Sequence, residues 1–554
     1  MKHIKRIFAF TICLCLFCTS ALAGLPSLKE LVEQANAGDT VDAAGVDNTI
    51  TEDTQVTINK NLTIDLGSNT ITQQQGTSSY AAIIVTNGAT VTIKNGSIVG
   101  SGVKDVYSNT IEVTNGALTL DYVDVTNGYT GIEVSGTGSS LTVTNNSSVS
   151  NNGYGIYVGN GGTVTVTNST VSNNEGTGIY AGQYAGGNAT VTINNSSITG
   201  NAYGGIDVYS GTLDINDDSV IASNTTELNG AGIRAEESTV TIDGATIKDN
   251  VSEPDGGGIF VYNSEVTINN TKITGNKTTM GVGGGMGING SEVTIGEDTT
   301  ISGNSAPMAG GIYGTNDAKL TLKGGKIDGN TATVVGDDVV LVMCEATLSG
   351  TEIGEAANVI FDYGEYGTFC GGFNIVDGAD LPDEITVVKM DGTIKSTDFE
   401  DMITEVTEGV FALSYSGSDP SEFTIANYED SYLYMVVIEN DQVKLVLNPN
   451  PVKPTKKSKT VYYNEGDTLN IKGCGWIITS LSFNEETGRF EWYLVNQQEL
   501  TNEEMADPEG TLEKMLGDKK GDITAITADQ KVLDKYFGGR QNHIMIYCTS
   551  EILH

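Results

Sequence analysis

The sequence predicts an all-β fold: a right-handed parallel β-helix solenoid with an N-terminal capping helix, followed by a small α+β domain. Three patterns repeat along the chain: an aliphatic-x-x-Asn motif, a glycine-rich step ending in Gly-Ile or Gly-Met, and a run of alternating apolar and polar residues. Successive motif asparagines are separated by 22 (152 to 174) to 28 (276 to 304) residues. They are Asn152, Asn174, Asn201, Asn224, Asn250, Asn276, Asn304 and Asn330. A repeat of this length is typical of a solenoid, because one unit cannot enclose a core and must stack on its neighbours.

Each unit is predicted to hold three short strands and no helix. Runs such as TVTVTNS (163–169) and ATVTINNS (189–196) are rich in β-branched residues and alternate in polarity, which is typical of strands with one buried face. We expect each strand to pair with its equivalent in the next unit, about 4.8 Å away. Glycine steps such as GGIDV (204–208) then lie at a corner, where glycine permits positive φ or a close backbone approach.

The motif asparagine has a predicted structural role. Placed at the same turn in every coil, its side-chain amide can bond the next amide along the stack and satisfy polar groups that the bend would otherwise bury unpaired. Before the repeats, Ser27 to Glu30 match a capping box, and Leu28, Leu31, Val32 and Ala35 make one apolar helical face. We therefore expect a short helix that ends at Gly38 and covers the open end of the solenoid.

The regular repeat weakens after about residue 365, which sets the expected domain organisation. We assign residues 24–365 to the β-helix and residues 366–447 to an irregular β cover at its C-terminal end. The Pro-rich, basic segment 448–459 is expected to be an extended linker. Residues 460–554 then form the small α+β module, with a hairpin over 477–495 and a helix over 527–537.

Residues 1–23 predict a Sec-type signal peptide, with basic residues at the start, an apolar run and the small-x-small ending Ala21-Leu22-Ala23. We expect the mature protein to be secreted or held at the cell surface. Four cysteines follow the leader, and an even number in an exported chain favours two disulfides. Of the three possible pairings we favour Cys344 with Cys370 and Cys474 with Cys548.

The formal net charge of -41 limits the kinds of partner that the protein can bind. Such a surface repels nucleic acid, anionic lipid and polyuronates, so we expect no nucleic-acid partner and no direct membrane insertion. We expect a monomer whose partner is a glycan or a host or cell-surface protein. No cofactor is implied; the doublets Asp217-Asp218 and Asp337-Asp338 are possible Ca²⁺ ligands, although solvated turn residues are the simpler interpretation.

The repeats resemble those of polymorphic outer-membrane proteins and related autotransporter passengers, which pair F-x-x-N with GGA-[ILV]. More broadly, residues 25 to 365 resemble the pectate-lyase-like superfamily of β-helices. The resemblance implies the fold and is compatible with adhesins, lyases and hydrolases alike. The chain ends CTSEILH after a small module, where the passenger families have a membrane barrel, so self-insertion is not expected. The polygalacturonase branch, with its Gly-His-Gly and Arg-x-Lys, is not matched because all three histidines lie outside the solenoid.

Candidate functional residues come from the strand after each glycine step, G-I-x-[VA]-x. Its aliphatic residues point inward, so its x positions should form two outward columns. The predicted binding residues in these columns are Tyr157, Tyr180, Asp207, Tyr209, Arg234, Glu236, Phe260 and Tyr262. We expect the columns to break at Gly287 and Asn289, after the segment GVGGGMG (281–287). That segment does not match G-x-G-x-x-G and is interpreted as a lengthened corner rather than a phosphate loop.

Three interpretations of this face stay open. In the first, Asp207 and Arg234 form a cross-coil ion pair and the aromatics are solvent-facing ladders. In the second, tyrosines and charges form a binding face for glycan or protein. In the third, Asp207 and Glu236 are a catalytic carboxylate pair roughly 8 Å apart, as in inverting glycosidases. We favour an adhesin-like, non-catalytic surface protein, with a polysaccharide lyase or glycoside hydrolase using Asp207, Arg234 and Glu236 as the alternative.

Overall fold

A computed structural model describes residues 25–549, with internal gaps, so the predicted signal peptide lies outside the described residues. The gaps are 75–79, 103–107, 160, 183–187, 363–367, 370, 377–378, 380, 392–402, 407–408, 416–419, 424, 426–430, 453–467, 472–473, 485–488, 517–523, 527–529 and 538–541. The chain divides into two compact units at Val452 and Lys453, within the predicted linker.

The first unit is a parallel β-helix whose coils have three sides, as the repeat predicts. Side 1 is the strand that follows the glycine step. Its strands are Val56–Ile58, Ile83–Thr86, Asn109–Thr114, Thr130–Ser135, Tyr154–Val158, Ile179–Gly182, Ile206–Tyr209, Ile233–Glu236, Ile259–Tyr262, Met286–Asn289, Ile312–Thr315, Val339–Val342, Glu355–Asp362 and Glu384–Asp391.

Sides 2 and 3 hold the alternating run and the aliphatic-x-x-Asn motif. Two long strands, Thr90–Val99 and Ala117–Thr126, continue from side 2 into side 3 and join the two sides into one sheet. The other side 2 strands are Thr40–Asp42, Leu62–Asp65, Ser140–Thr144, Thr163–Thr167, Thr190–Asn194, Thr212–Asn216, Thr239–Asp243, Glu265–Asn269, Glu292–Ile295, Lys319–Leu322, Glu345–Leu348 and Gly372–Ile375. The other side 3 strands are Thr49–Ile50, Thr70–Gln73, Ser148–Ser150, Thr170–Ser172, Ser197–Thr199, Val220–Ala222, Thr246–Lys248, Lys272–Thr274, Thr300–Ser302, Lys326–Ile327 and Glu352–Ile353.

The coils pair in register, so equivalent apolar residues form columns inside the solenoid. On side 2, for example, Leu141 lies beside Val164, and Val164 lies beside Val191. These inward residues are almost fully buried and form one continuous core from Leu28 to Leu445. A single slip of register would turn each column to the outside, so burial of the columns holds the register.

The predicted asparagine ladder is confirmed. Each motif asparagine is nearly or completely buried, and its Nδ2 donates to Oδ1 of the next, as from Asn224 to Asn250 at 3.0 Å. Its Oδ1 also accepts from the backbone N–H of the preceding one. The ladder ends at Asp338, whose Oδ1 accepts from both the backbone N–H and Nδ2 of Asn330 and whose Oδ2 accepts from the Glu355 N–H. A carboxylate fits the last position because only acceptors are needed there.

The ladder also explains the glycine that precedes the side 1 isoleucine. A Cβ on Gly205 would lie 2.8 Å from Asn224 Nδ2 and 2.6 Å from the carbonyl oxygen of Gly232. Glycine is therefore needed here for close approach between coils rather than for a positive φ.

A fourth strand in the later coils was not predicted. After the motif asparagine the chain forms short parallel strands that lie outside side 1. We call them the roof strands: Thr225–Thr226, Val251–Ser252, Lys277–Thr278, Ser305–Met308 and Thr331–Val335. Towards the C-terminal end they bury a second apolar cluster, in which Met308 and Val335 pack with Val340 and Val342. The outer face of side 1 is therefore covered in these coils.

Both ends of the solenoid are covered. The helix α1, Leu28–Gln34, has the predicted capping box between Ser27 and Glu30, buries Leu28 and Val32, and ends before the expected Gly38. Parallel pairing continues past residue 365: Glu384–Asp391 pairs with Glu355–Asp362, and Gly409–Ser414 pairs with Gly372–Ile375. The remaining elements there are Thr368–Phe369, Ile403–Val406, Tyr434–Glu439, Gln442–Leu447 and the 3₁₀ turns Pro420–Glu422 and Ser431–Leu433.

The second unit is an α+β module with a five-stranded antiparallel sheet. Its strands are Thr468–Ile471, Cys474–Asn484, Arg489–Asn496, Thr524–Ile526 and Met545–Thr549. The predicted hairpin is formed by the second and third of these. The predicted C-terminal helix covers Gln530–Phe537, and two helices that we did not predict cover Asn502–Ala506 and Pro508–Leu516.

The structure tests one of the two predicted disulfides. Cys344 is a free, buried thiol, and burial raises its pKa to about 12, so the structure does not contain the expected Cys344–Cys370 bridge. Cys370 itself lies outside the described residues, and so do the side chains of Cys474 and Cys548, whose pairing stays a prediction.

Replacing Asn224 with alanine is expected to lower the free energy of unfolding by roughly 3–5 kcal/mol. The change leaves the Asn201 amide groups without their acceptor and the Ile198 carbonyl without its donor, in a site with no solvent access. Asn216→Ala is the matched control, because it removes a half-exposed amide with one side-chain bond and should cost under about 1 kcal/mol. Urea denaturation of both variants measures the difference; equal costs would contradict a structural role for the ladder.

Candidate functional site

The outward columns of side 1 are assembled as the repeat predicts. In the first column Tyr157 lies beside Tyr180, and Tyr180 beside Asp207. Arg234 and Phe260 continue this column, while Tyr209, Glu236 and Tyr262 form the second. All eight predicted residues therefore lie on one face, although their exposure differs strongly along it.

Three tyrosines form a continuous stack along the solenoid axis. The rings of Tyr157 and Tyr180 are parallel, at 6° and 5.5 Å between centroids, and Tyr180 contacts Tyr209 at 5.4 Å. We call Tyr157, Tyr180 and Tyr209 the tyrosine ladder. Because the faces of the Tyr157 and Tyr180 rings lie against one another, these two residues turn ring edges and hydroxyl groups outward, whereas Tyr209 is only 3% exposed.

Arg234 closes the tyrosine ladder. Its Cζ lies 5.4 Å from the centroid of the Tyr209 ring, a cation–π contact. Its Nε donates to Glu236 Oε1 at 2.8 Å, and its Nη2 donates to the same oxygen. The ion pair thus joins two residues of one strand, and the expected pairing of Arg234 with Asp207 in the preceding coil is wrong. The i, i+2 spacing puts Arg234 and Glu236 on the same side of the strand, which the sequence already shows.

Asp207 is only 5% exposed. Thr177 Oγ1 donates to its Oδ2 at 3.4 Å, and a Cβ on Gly204 would lie 3.4 Å from its Oδ1. Burial raises the pKa of the carboxyl to about 7, although the nearby Arg234 cation and the Thr177 hydroxyl act in the opposite direction. Thr177 lies outside the column motif, so the sequence pattern gave no signal that it contacts Asp207.

The segment that carries the roof strands is what closes this part of the face. Gly230 lies against the Arg234 backbone, and Gly256 lies against Cβ of Phe260, which is 6% exposed. Gly287 packs beneath the Phe260 ring, so the break predicted at this position coincides with covered surface. Tyr262, at 39% exposure, stays accessible. The open part of side 1 therefore lies mainly before Asp207, where the tyrosine ladder begins.

Two further tyrosines that the column pattern missed border the open part. Tyr154 begins the strand that carries Tyr157 and is 38% exposed, and its ring contacts Tyr129 edge to face at 5.7 Å. Both precede the G-I-x-[VA]-x motif, which is why a search restricted to that motif did not find them.

The acidic doublets do not assemble a metal site in the part of the chain that the structure describes. No group of three or more potential metal ligands occurs there. Asp338 is already used by three N–H donors at the end of the asparagine ladder. Asp217 and Asp218 are exposed turn residues with positive φ.

The fold defines a class: right-handed β-solenoids built from stacked parallel coils. The family model described as the right-handed β-helix region matches residues 36–188 and 182–353. Because the match covers more than half of the chain, this protein belongs to the right-handed β-helix family. No curated protein matches the chain significantly.

Three solved structures are similar to the chain at low identity. A mutant of the periplasmic alginate epimerase AlgG is 12% identical, with 60% of this chain and 83% of that chain covered and a TM-score of 0.33. A full-length tailspike protein from an Escherichia coli bacteriophage is 11% identical, with 84% and 58% covered and a TM-score of 0.34. A pectate lyase, Pel9A, is 15% identical, with 53% and 69% covered and a TM-score of 0.19. Among the described helices, none has the length and apolar character that crossing a membrane requires.

Asp207→Asn is expected to stabilise the protein above neutral pH. The folded carboxyl has a pKa of about 7 and the ordinary value is 3.8, so its favourable contribution is complete below about pH 4 and is lost as the pH rises through 7. The variant should gain on the order of 3 kcal/mol at alkaline pH and lose part of the pH dependence between these values. Thermal unfolding measured from about pH 4 to alkaline pH tests this gain in stability. Glu265→Gln, at an exposed position, is the control. Parallel curves for the variant and the natural protein would contradict the raised pKa.

Proposed function

We propose that this is an exported, non-catalytic β-helix protein of the adhesin type, which binds a glycan through the open part of side 1. The tyrosine ladder carries the proposal, because Tyr157 and Tyr180 place aromatic edges and hydroxyl groups side by side on a rigid sheet. Export is supported by the leader-like residues 1–23. The acidic α+β module is proposed to serve attachment or contact with a partner.

The repeat distance of the ladder suits a linear ligand. Its rings follow one another at 5.5 and 5.4 Å, a spacing comparable to the length of one sugar unit. A glycan lying along the solenoid axis would therefore meet the same chemistry at each successive unit. Tyr154 and Tyr129 supply aromatic surface beside it, and a sugar chain uses such surface together with hydroxyl contacts.

A binding function fits the charged residues better than catalysis. Asp207 is almost fully buried and accepts a hydrogen bond from Thr177, so it is not placed to touch a glycosidic bond. Glu236 is engaged by Arg234, and their side chains are only 17% and 14% exposed. In this arrangement the Arg234–Glu236 pair fixes the end of the ladder rather than flanking a substrate.

A polysaccharide lyase or glycoside hydrolase is the second candidate, and one observation favours it. A buried carboxyl with a pKa of about 7 beside an arginine is the kind of group that a general acid requires. Assays for reducing sugars and for unsaturated products on the mature protein test this candidate. If the protein turns over a glycan and Asp207→Asn abolishes this turnover, the protein is an enzyme. If no glycan that binds is turned over, the enzyme candidate is excluded.

The double variant Tyr157→Phe, Tyr180→Phe is expected to weaken glycan binding roughly tenfold or more while the melting temperature changes little. Phenylalanine keeps the stacked rings and removes the hydroxyl groups that a sugar would contact. A glycan array identifies the ligand, and titration of the best hit measures the loss. Thr241→Val, which removes a hydroxyl group from the outer face of side 2, is the control and should leave this binding unchanged. Undiminished binding by the double variant would overturn the site, and a hit among proteins alone would assign the face to a protein partner.

A further inference from the structure

A shallow groove lies on the edge between sides 2 and 3, which is opposite side 1 in the three-sided coil. Its volume is about 740 Å³. The residues that matter for its chemistry are Tyr122, Asn145, Asn146, Asn168, Asn195 and Asp218. None of them belongs to the site proposed on side 1.

The concave shape follows from unequal turn lengths. Asn168 and Asn195 stand singly at positive φ in two adjacent coils, whereas the flanking coils carry the pairs Asn145-Asn146 and Asp217-Asp218 at positive φ. The longer turns project on both sides, and the shorter ones form the floor between them. Three coil steps separate the two walls, about 14 Å at the spacing of parallel strands. The groove therefore runs along the solenoid axis with the length of a short oligosaccharide.

On this edge, Tyr122 has a backbone conformation that is unfavourable for a tyrosine. Its φ is 61°, and it is the only aromatic residue with positive φ in the described part of the chain. Other coils place residues that tolerate this conformation at the same turn, such as Asn95, Asn168 and Gly244. Tyr122 is nevertheless 59% exposed, so its ring gains little from packing. Strain at an exposed aromatic residue indicates a contact that the isolated fold does not contain.

The groove offers hydrogen-bonding groups around this ring. Asn146 Nδ2 donates to the Tyr122 hydroxyl at 3.4 Å, and Asn195 Nδ2 donates to Asn168 Oδ1 at 2.6 Å. Within the described residues, Asn168 Nδ2 and Asn195 Oδ1 have no protein partner, so a donor and an acceptor remain for a ligand. The lining contains no lysine or arginine, and Asp218 adds a negative charge. Anionic sugars are therefore disfavoured, which leaves an uncharged polyhydroxylated ligand.

We propose that this groove is a second glycan site, which binds a neutral oligosaccharide segment with one sugar ring on Tyr122 and the following hydroxyls on the Asn168 and Asn195 amides. An aromatic face with a few convergent amides is the usual means of binding uncharged sugars. The site is independent of the tyrosine ladder and opens on the opposite edge of the coil. A protein with both sites could hold two glycan chains at once.

Tyr122→Asn separates a ligand-binding role from a structural one. Asparagine suits positive φ, so the variant should melt a few degrees higher than the natural protein and yet bind the ligand at least roughly tenfold more weakly. Asn168→Ala should also weaken binding. Asn270→Ala, at the same turn but outside the groove, is the matched control and should leave this affinity unchanged.

The probes are hexasaccharides of glucose with α- or β-1,4 linkages, xylose and mannose, with hexagalacturonate as the anionic comparison. Each is titrated against the mature protein by calorimetry and by NMR at up to about 10 mM. Binding of a neutral probe that Tyr122→Asn weakens and Asn270→Ala does not would support the second site. No binding of any neutral probe, a preference for hexagalacturonate, or a lower melting temperature for Tyr122→Asn would each overturn it. Loss of binding only in Tyr180→Phe would retain the side 1 site and reject this one.

Discussion

The chain of buried asparagine amides is the interaction on which the rest of the solenoid depends. From Asn152 onward each amide bonds the next, until Asp338 ends the series with a carboxylate. A coil that bends sharply around an apolar core must bury backbone polar groups at the bend, and unpaired groups there would each cost about 1–3 kcal/mol. From Asn152 onward the ladder satisfies them once per coil. It also excludes a side chain at the adjacent glycine, which brings the backbones of neighbouring coils together.

Because the ladder and the core columns hold every coil in register, the outward residues also align, and this alignment creates surfaces that one coil could not make. The tyrosine ladder exists because Tyr157 and Tyr180 occupy matching positions in successive coils and Tyr209 contacts Tyr180 diagonally from the next coil. The groove at Tyr122 arises in the same way, from a difference in turn length between neighbouring coils. In both cases the repeat fixes the positions of the backbone, and residues that depart from the repeat provide the side chains that a ligand would contact.

The segment that carries the roof strands limits how much of this surface a ligand can reach. Where it crosses side 1, outward residues such as Phe260 become almost inaccessible, and Asp207, whose hydroxyl partner Thr177 precedes the roof strands, is buried as well. A carboxyl placed there meets a low dielectric, so its pKa rises and its charge becomes unfavourable at high pH. The segment that stabilises the C-terminal coils through Met308 and Val335 thus also restricts which part of side 1 a large ligand can reach.

The sequence alone determined the β-helix, the three strands per coil, the asparagine ladder and the capping helix, because these follow from residue type and period. It also placed the eight column residues in their correct order. Only the tertiary structure decided that Arg234 pairs with Glu236, that Asp207 is buried and that the tyrosines present their edges. The physical reason is that the period of the repeat determines the direction in which each side chain points. The exposure of that side chain and its bonding partners depend instead on other segments, such as the roof strands, that fold back over the face.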